Sequence, residues 1–156
     1  MYKVIFICHG NICRSPTAAL LFTQLVDEAG LAAQFEISSA ATSTEELGNG
    51  VYPPMQTVLK RHGINPSGHR AHRLSAQEAQ NADLLVIMDS ENRWGLSHLG
   101  FAIPAGKVVE LGQYGLGGEI DDPWYTRDFE RAYAEIEAGC EGLLLKLKEQ
   151  LPPNKS

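Results

Sequence analysis

A cysteine and an arginine separated by five residues, Cys8 and Arg14, lie in one short loop near the start of the chain. The loop ends at Ser15-Pro16, where serine is a favoured N-cap and proline a favoured first residue of a helix. Gly10 and Asn11 tolerate positive φ, so the loop can curl and direct several backbone N–H groups at one point. Because these groups and the dipole of the following helix attract negative charge, the segment predicts an anion-binding loop beside a thiol.

The positive potential of such a loop favours the thiolate form of Cys8, which is a strong nucleophile without a separate base. Arg14 can fold back and hold two oxygens of a tetrahedral dianion with its planar guanidinium. This pairing suits in-line attack of sulfur on a phosphomonoester, with Cys8 and Arg14 as catalytic residues. The other loop residues are predicted to contact the substrate: His9, Gly10, Asn11, Ile12, Cys13 and Ser15.

Expulsion of the leaving oxygen requires a proton donor, which must come from another loop. We predict that Asp122 is this catalytic acid, because Pro123 keeps it extended and the glycine-rich stretch 112–118 can fold over the site. Asp121 is an alternative, and an Asp-Pro pair is also common in ordinary turns and helix caps. The two aromatic residues that follow are predicted to form a wall for a flat substrate ring, or else to pack on the core: Trp124 and Tyr125.

Apolar runs alternate with helical patterns along the chain. The strands are predicted over residues 3–8, 35–38, 82–88 and 107–111. The helices are predicted after the loop, over about 54–62, after Asp89, and from about 126 to the end of the apolar stripe. This alternation predicts an α/β sandwich with a small parallel sheet. In such sheets, ligands bind beyond the carboxyl ends of the strands, which is where the loop after the first strand lies.

The chain has 156 residues, of which 44% are apolar, and this fits a single domain over residues 1–151 with a frayed tail over 152–156. The net charge of −6 disfavours a nucleic-acid partner. No apolar run reaches the ~20 residues of a membrane span, so no membrane association is expected. Three cysteines without an apparent export signal predict a reducing, cytoplasmic location.

The loop Cys8–Pro16 resembles the signature of the low-molecular-weight protein tyrosine phosphatases. Other segments follow in the order and approximate spacing of that family: 39–41, 61–64, 88–92 and 122–125. The resemblance implies a single-domain three-layer sandwich, with a four-stranded parallel sheet of flavodoxin-like order 2-1-3-4. It also implies hydrolysis of phosphotyrosine in protein substrates through a cysteinyl phosphate, without a cofactor or a metal.

The same resemblance implies a hydrogen-bond network that supports the loop. Its members are Asn11, Ser15, Ser39 and His69, with His62 and His72 as alternatives to His69. The resemblance also places Glu45 where many members of the family carry an aromatic residue, which predicts a different preference among phosphotyrosine proteins. A reversible disulfide between Cys8 and Cys13 is a further expectation, whereas Cys140 falls on an apolar helix stripe and is predicted to be structural.

Other functions remain open at this point. A zinc site at Cys8, His9 and Cys13 lacks a second cluster of ligands, and an arsenate reductase needs further redox cysteines. A protein arginine phosphatase of the same fold is a closer alternative, although its relatives tend to carry threonine at the position of Ile12. A non-catalytic phosphate-binding or flavin-binding domain needs neither Cys8 nor Asp122 for chemistry.

Overall fold

The computed structural model describes residues 1–151; the predicted frayed tail, residues 152–156, lies outside the described residues. The strands are β1 (Tyr2–Cys8), β2 (Phe35–Ala41), β3 (Leu84–Ile87) and β4 (Val108–Glu110). The helices are α1 (Arg14–Glu28), α2 (Pro53–Arg61), α3 (Ala76–Asn81), α4 (Ser90–Ser97), α5 (Pro123–Thr126) and α6 (Phe129–Gln150). Short 3₁₀ turns precede β2 and β4 and follow β4, at Ala32–Gln34, Ala105–Lys107 and Leu111–Tyr114.

The strands form one parallel sheet in the order β2-β1-β3-β4, as expected. The register pairs Cys8 with Ala41 on one side of β1 and Ile7 with Ile87 on the other. Because β1 is central and paired on both sides, its carboxyl end is held firmly. The loop that follows β1 therefore begins from a fixed point.

Alternating residues of β1 face two separate apolar layers. Val4, Phe6 and Cys8 contribute to the core shared with α1, α2 and α6. Ile5 and Ile7 contribute to the smaller core that packs against α3 and α4. The predicted three-layer sandwich is confirmed, and the continuous apolar character of β1 reflects burial on both faces.

Several boundaries differ from the sequence-based expectations. The start of α1 is Arg14, with Cys13 as its N-cap, so the prediction of Ser15 as N-cap was wrong. The Ser15 hydroxyl bonds to neighbouring side chains instead, and Pro16 is the third residue of the helix. The predicted last helix begins at Phe129 as α6, and the short α5 before it was not predicted; Arg127 separates the two with a left-handed conformation, φ 60°.

The short helix α3 was missed because it is brief and polar. It is stabilised by a capping box, in which the Ser75 hydroxyl accepts from the Glu78 amide and the Glu78 carboxylate accepts from the Ser75 amide. This motif was available in the sequence as Ser75 followed three residues later by Glu78. None of the helices in residues 1–151 is both long enough and apolar enough to cross a bilayer.

The glycine-rich segment before Asp122 packs on α6 and does not line the site cavity, contrary to expectation. A Cβ atom at Gly142 of α6 would lie 1.8 Å from the carbonyl oxygen of Tyr114. A Cβ at Gly115 would lie 2.6 Å from the amide nitrogen of Gly139. These glycines let the segment approach α6 closely, which fixes the start of the loop that carries Asp122.

Candidate active site

A cavity of about 270 Å³ opens at the carboxyl end of β1. Three segments line it: the loop after β1, residues 45–52 and residues 122–125. The three predicted catalytic residues, Cys8, Arg14 and Asp122, all lie in its wall. Of the predicted substrate-contacting residues, the following also line it: His9, Gly10, Ile12, Cys13, Trp124 and Tyr125.

The side chains of Asn11 and Ser15 lie beneath the loop instead of in the cavity, and both residues are fully buried. Asn11 adopts the left-handed conformation with φ 58°, as its sequence position suggested. Gly10 is not in that region, and its role is close approach, because a Cβ there would lie 3.2 Å from the Cγ of Glu46. The backbone N–H groups of residues 10–13 donate to no protein acceptor within residues 1–151, so they are free to bind the oxygens of an anion.

A chain of hydrogen bonds reaches the Cys8 sulfur from below. The Asn11 amide donates to the Ser15 hydroxyl oxygen at 2.7 Å, and that hydroxyl lies 3.0 Å from the sulfur. The Ser15 backbone N–H also points at the sulfur, at 3.4 Å. The Ser15 oxygen accepts from Asn11, so the Ser15 hydroxyl proton is available to donate to the sulfur when Cys8 is a thiolate. Donors aimed at sulfur favour its thiolate form.

Asn11 is itself held by the segment that contains two of the candidate histidines. The His69 ring donates from Nε2 to the Asn11 carbonyl, and the His72 backbone N–H donates to the Asn11 side-chain oxygen at 3.2 Å. Burial lowers the pKa of His69, which keeps the ring neutral at neutral pH. His62 instead pairs with Glu130, away from the cavity.

Ser39 is buried on β2 and pairs in the sheet with Phe6. Within residues 1–151 its hydroxyl makes no hydrogen bond to the loop. It borders a shallow cavity on the far side, together with His69. The structure therefore brings Asn11, Ser15 and His69 into one network and leaves Ser39 beside it.

The Arg14 guanidinium is almost fully buried and is held from behind by two acceptors. Its Nη1 donates to the Asp89 carboxylate at 2.6 Å and to the Ile120 carbonyl at 2.7 Å. Burial alone lowers the pKa of Arg14, but the neighbouring anionic groups outweigh burial and raise that pKa above its ordinary value. Arg14 is therefore a permanent, oriented cation at the floor of the cavity. Sequence reasoning did not assign Asp89 this role.

Asp122 stands at the wall with its two carboxylate oxygens in different environments. Oδ1 accepts from the Trp124 backbone N–H at 3.0 Å and thereby caps α5. Oδ2 lies 3.6 Å from Nη2 of Arg14 and faces the cavity region. The cap and the acid role are therefore compatible, because they use different oxygens. Asp121, the alternative acid, does not line the cavity.

The aromatic wall contains one residue that the sequence analysis missed. Tyr52 lines the cavity, and its ring centroid lies 5.2 Å from that of Trp124. The Arg127 guanidinium lies 5.7 Å above the Tyr52 ring and braces it from behind. Trp124 and Tyr125 remain largely exposed, so they border the opening and do not pack into the core. Tyr52 had no motif of its own and is identified only by its position.

Cys13 and Cys140 are both free thiols with little tendency to ionise, because burial raises the pKa of each above its ordinary value. Cys140 lies in the core on α6, where its thiol faces the Ala18 carbonyl. Cys8 is also a free thiol, so the disulfide between Cys8 and Cys13 stays a prediction.

A thiol that receives hydrogen bonds, a ring of free amides and a buried arginine lie together at the carboxyl end of a parallel sheet. Fold and site together define a phosphatase of the cysteine-dependent class. The model of the low molecular weight phosphotyrosine protein phosphatase family matches residues 3–153. The chain belongs to this family.

Individual relatives agree with the family assignment. The chain is 32% identical to the low molecular weight protein-tyrosine-phosphatase YfkJ of Bacillus subtilis, over 96% of this chain and 98% of the relative. It is 36% identical to the low molecular weight phosphotyrosine protein phosphatase of Gallus gallus, over 92% and 94%. The crystal structure of YfkJ superposes with a TM-score of 0.91 and covers 97% of this chain and 98% of its own.

One structural relative has a different stated activity. The crystal structure of DARP, a drosophila arginine phosphatase, has a TM-score of 0.84 and 31% identity, and covers 94% of this chain and 98% of its own. The fold is therefore compatible with more than one phosphorylated amino acid. The choice between them depends on the residues around the cavity.

Proposed function

We propose that the chain hydrolyses phosphotyrosine in protein substrates, with Cys8 as the nucleophile. The observation that carries this proposal is the position of the Cys8 sulfur, which lies in the cavity wall above two donors of Ser15 and beside the buried Arg14. A small apolar thiol in a core needs none of these groups. Membership of the phosphotyrosine phosphatase family supports the same reading.

In the first step, the thiolate of Cys8 attacks phosphorus, and the S–P bond forms as the bond from phosphorus to the phenolic oxygen breaks. Arg14 and the amides of residues 10–13 bind the equatorial oxygens and offset their charge. Asp122 transfers its proton to the departing phenolate. The products of this step are tyrosine, a cysteinyl phosphate and an Asp122 carboxylate.

In the second step, water attacks the cysteinyl phosphate and the S–P bond breaks. The Asp122 carboxylate accepts the proton of the attacking water and returns to its starting state. The Ser15 donors stabilise the departing thiolate as they stabilise it at rest. Inorganic phosphate then leaves, and no cofactor takes part in either step.

The cavity favours a phenyl ring over a guanidinium as the phosphorylated group. Ile12 contributes an apolar side chain to the lining, and Trp124 and Tyr52 form an aromatic surface on the opposite segment. A flat ring buries well between such groups. Hydrolysis of phosphoarginine is the second candidate, supported by the likeness to the drosophila arginine phosphatase.

The proposed partners are phosphotyrosine-containing proteins, and neither nucleic acid nor a membrane is proposed as a partner. A net charge of −6 supports the exclusion of nucleic acid. A cytoplasmic location is also proposed, because a reducing compartment keeps the Cys8 thiol available.

The proposal is tested by the turnover of phosphotyrosine, phosphoarginine and arsenate by one purified sample. We expect phosphotyrosine to be hydrolysed with the highest kcat/KM and arsenate to be left unreduced. Cys8→Ser should abolish turnover while still binding inorganic phosphate, and Cys140→Ser is the matched control that should retain turnover. Faster hydrolysis of phosphoarginine, or turnover by Cys8→Ser, would overturn the proposal.

A further inference from the structure

A second depression adjoins the phosphate cavity and shares one wall with it. It has a volume of about 440 Å³ and lies between the loop after β1 and α4. His9 lines both cavities. We call the second depression the His9–Trp94 groove, after the residues at its two sides. The groove is therefore adjacent to the cavity that would hold the phosphotyrosine of a substrate polypeptide.

The groove is built by a close approach of α4 to the segment that follows β2. A Cβ atom at Gly95 would lie 2.7 Å from the Thr42 hydroxyl, so a glycine at this helical position allows the contact that forms the floor. Trp94 stands beside it with 64% of its surface exposed. His98 stacks on Trp94 with ring centroids 3.9 Å apart, which fixes the orientation of the indole.

The stacked His98 ring is itself held by hydrogen bonding at the end of α4. The His98 ring nitrogen Nδ1 lies 2.8 Å from the Trp94 carbonyl, and the Ser97 hydroxyl donates to the same carbonyl. The Trp94 indole is therefore largely exposed and is stacked against one neighbouring ring. Such a ring is a preformed platform for a cation or another flat group.

Three glutamates lie around the two openings, and one of them, Glu45, has its carboxylate 3.0 Å from Nε2 of His9. Glu91 lines the groove, and Glu45 and Glu46 line the side of the phosphate cavity next to it. Arg14 is the one Lys or Arg side chain that lines either cavity within residues 1–151, and it is buried at the floor. The nearby Arg93 points elsewhere, with its guanidinium 3.6 Å from the Glu110 carboxylate.

We propose that the His9–Trp94 groove binds a lysine or arginine side chain of the substrate polypeptide, next to the phosphotyrosine. The cation would lie on the free face of the Trp94 indole and close to the Glu91 carboxylate. An acidic side chain there would be repelled by the glutamates at the two openings. The inference rests on the proposed function, because it names the sequence context of the same phosphotyrosine substrate.

The test compares phosphotyrosine peptides that differ only in their flanking residues, which are arginine, alanine or glutamate. For the unaltered protein we expect kcat/KM to be about three- to tenfold higher with arginine than with alanine, and lowest with glutamate. The difference should appear mainly in KM, because the groove binds ground state and transition state alike. Higher salt should reduce it, since exposed charges are screened.

Two variants locate the effect. Trp94→Ala and Glu91→Gln should each reduce the arginine preference, with Trp94→Ala bringing it to about twofold or less. Leu145→Ala, at an exposed position on α6 that lines neither cavity, should keep it. Hydrolysis of p-nitrophenyl phosphate, which is too small to reach the groove, should be the same in all four proteins and shows that each is folded.

The outcomes separate the two proposals. Equal rates for the arginine and alanine peptides in the unaltered protein would overturn the groove assignment while leaving the phosphatase intact. An arginine preference that persists in both groove variants would also overturn it, and would point to the Glu45 side of the opening. Failure to hydrolyse any phosphotyrosine peptide or p-nitrophenyl phosphate would overturn the proposed function itself, and the groove assignment with it.

Discussion

The Ser15 hydroxyl lies 3.0 Å from the Cys8 sulfur, and its oxygen is already occupied by the Asn11 amide. The hydroxyl proton is therefore available to donate to the sulfur when Cys8 is a thiolate. Ser15 was expected to cap α1, yet its side chain serves the thiol instead. The start of α1 thus holds the sulfur with both a side-chain and a backbone donor of the same residue.

This relationship predicts selective alkylation at mildly acidic pH. At pH 6 iodoacetamide should modify Cys8 much faster than an ordinary thiol, because donors to sulfur favour the reactive thiolate. Burial raises the pKa of Cys13 and Cys140, so both should remain as unreactive thiols. Mass spectrometry of proteolytic fragments reports the modified positions over time.

Ser15→Ala removes the hydroxyl donor and should slow the modification of Cys8 at pH 6 by about tenfold or more. The comparison variant is Ser38→Ala on β2, which should leave the rate unchanged. Inorganic phosphate should protect Cys8 in the unaltered protein. If Cys8 at pH 6 reacts no faster than a free thiol, the thiolate account is wrong.

Asp122 offers a test based on the leaving group. The Asp122→Asn variant lacks the carboxylic acid that donates the proton. It should therefore hydrolyse aryl phosphates with basic leaving groups about 10²–10⁴-fold more slowly. The hydrolysis of substrates whose leaving groups depart without protonation should be slowed much less. Asparagine keeps the side-chain oxygen that caps α5, so the loop should stay in place. Asp121→Asn is the adjacent control and should show no such dependence; a dependence there would transfer the acid role to Asp121.

His69 predicts how stability changes with pH. Burial lowers the pKa of His69 below the ordinary histidine value of about 6.5, so the folded state resists a proton that the unfolded chain accepts. As the pH falls below about 6.5, the unfolded state gains protons first and the free energy of unfolding decreases. Urea denaturation at pH 7.5 and pH 5.5 measures this decrease.

His69→Gln retains a donor for the Asn11 carbonyl but cannot titrate. The decrease in stability between the two pH values should therefore be smaller in this variant than in the unaltered protein. His98→Gln, at an exposed histidine that stacks on Trp94, serves as the comparison and should keep the full decrease. Identical pH dependence in all three proteins would show that His69 is not the titrating group.

The sequence predicted the site best where the reactive residues follow one another in a single segment of the chain. The loop from Cys8 to Ser15 is one continuous segment between a buried strand and a helix, so its composition alone indicated a site for an anion and a thiol. Asp122 was predicted as the acid because a phosphoryl transfer of this kind needs a separate proton donor, and it lines the cavity. The sheet order was implied by family resemblance and is confirmed.

Other parts of the site depend on long-range packing that no local pattern encodes. Asp89 reaches Arg14 from 75 positions along the chain, and it lies next to the loop only because β3 pairs with β1. Tyr52 reaches the cavity through its contact with Trp124, which belongs to a distant segment. The glycine-rich stretch 112–118 was predicted to fold over the site, but it packs against α6. Its contacts there are with residues almost thirty positions away, so no local pattern in the sequence indicates them.

The close packing of segment 112–118 against α6 predicts the effect of a substitution on the free energy of unfolding. In the middle of a helix, Gly→Ala normally adds about 1 kcal/mol to the free energy of unfolding. Gly142→Ala should instead reduce it by about 1–3 kcal/mol, because its Cβ would meet the Tyr114 carbonyl at 1.8 Å and force the segment away from α6. Gly106→Ala, where a Cβ has no neighbour within 4 Å, should change it by less than about 0.5 kcal/mol. Urea denaturation compares the three proteins, and a stabilised Gly142→Ala would contradict the packing described for this segment. Because the same segment leads into the Asp122 loop, the variant should also lower kcat for aryl phosphates with basic leaving groups more than for those with good ones.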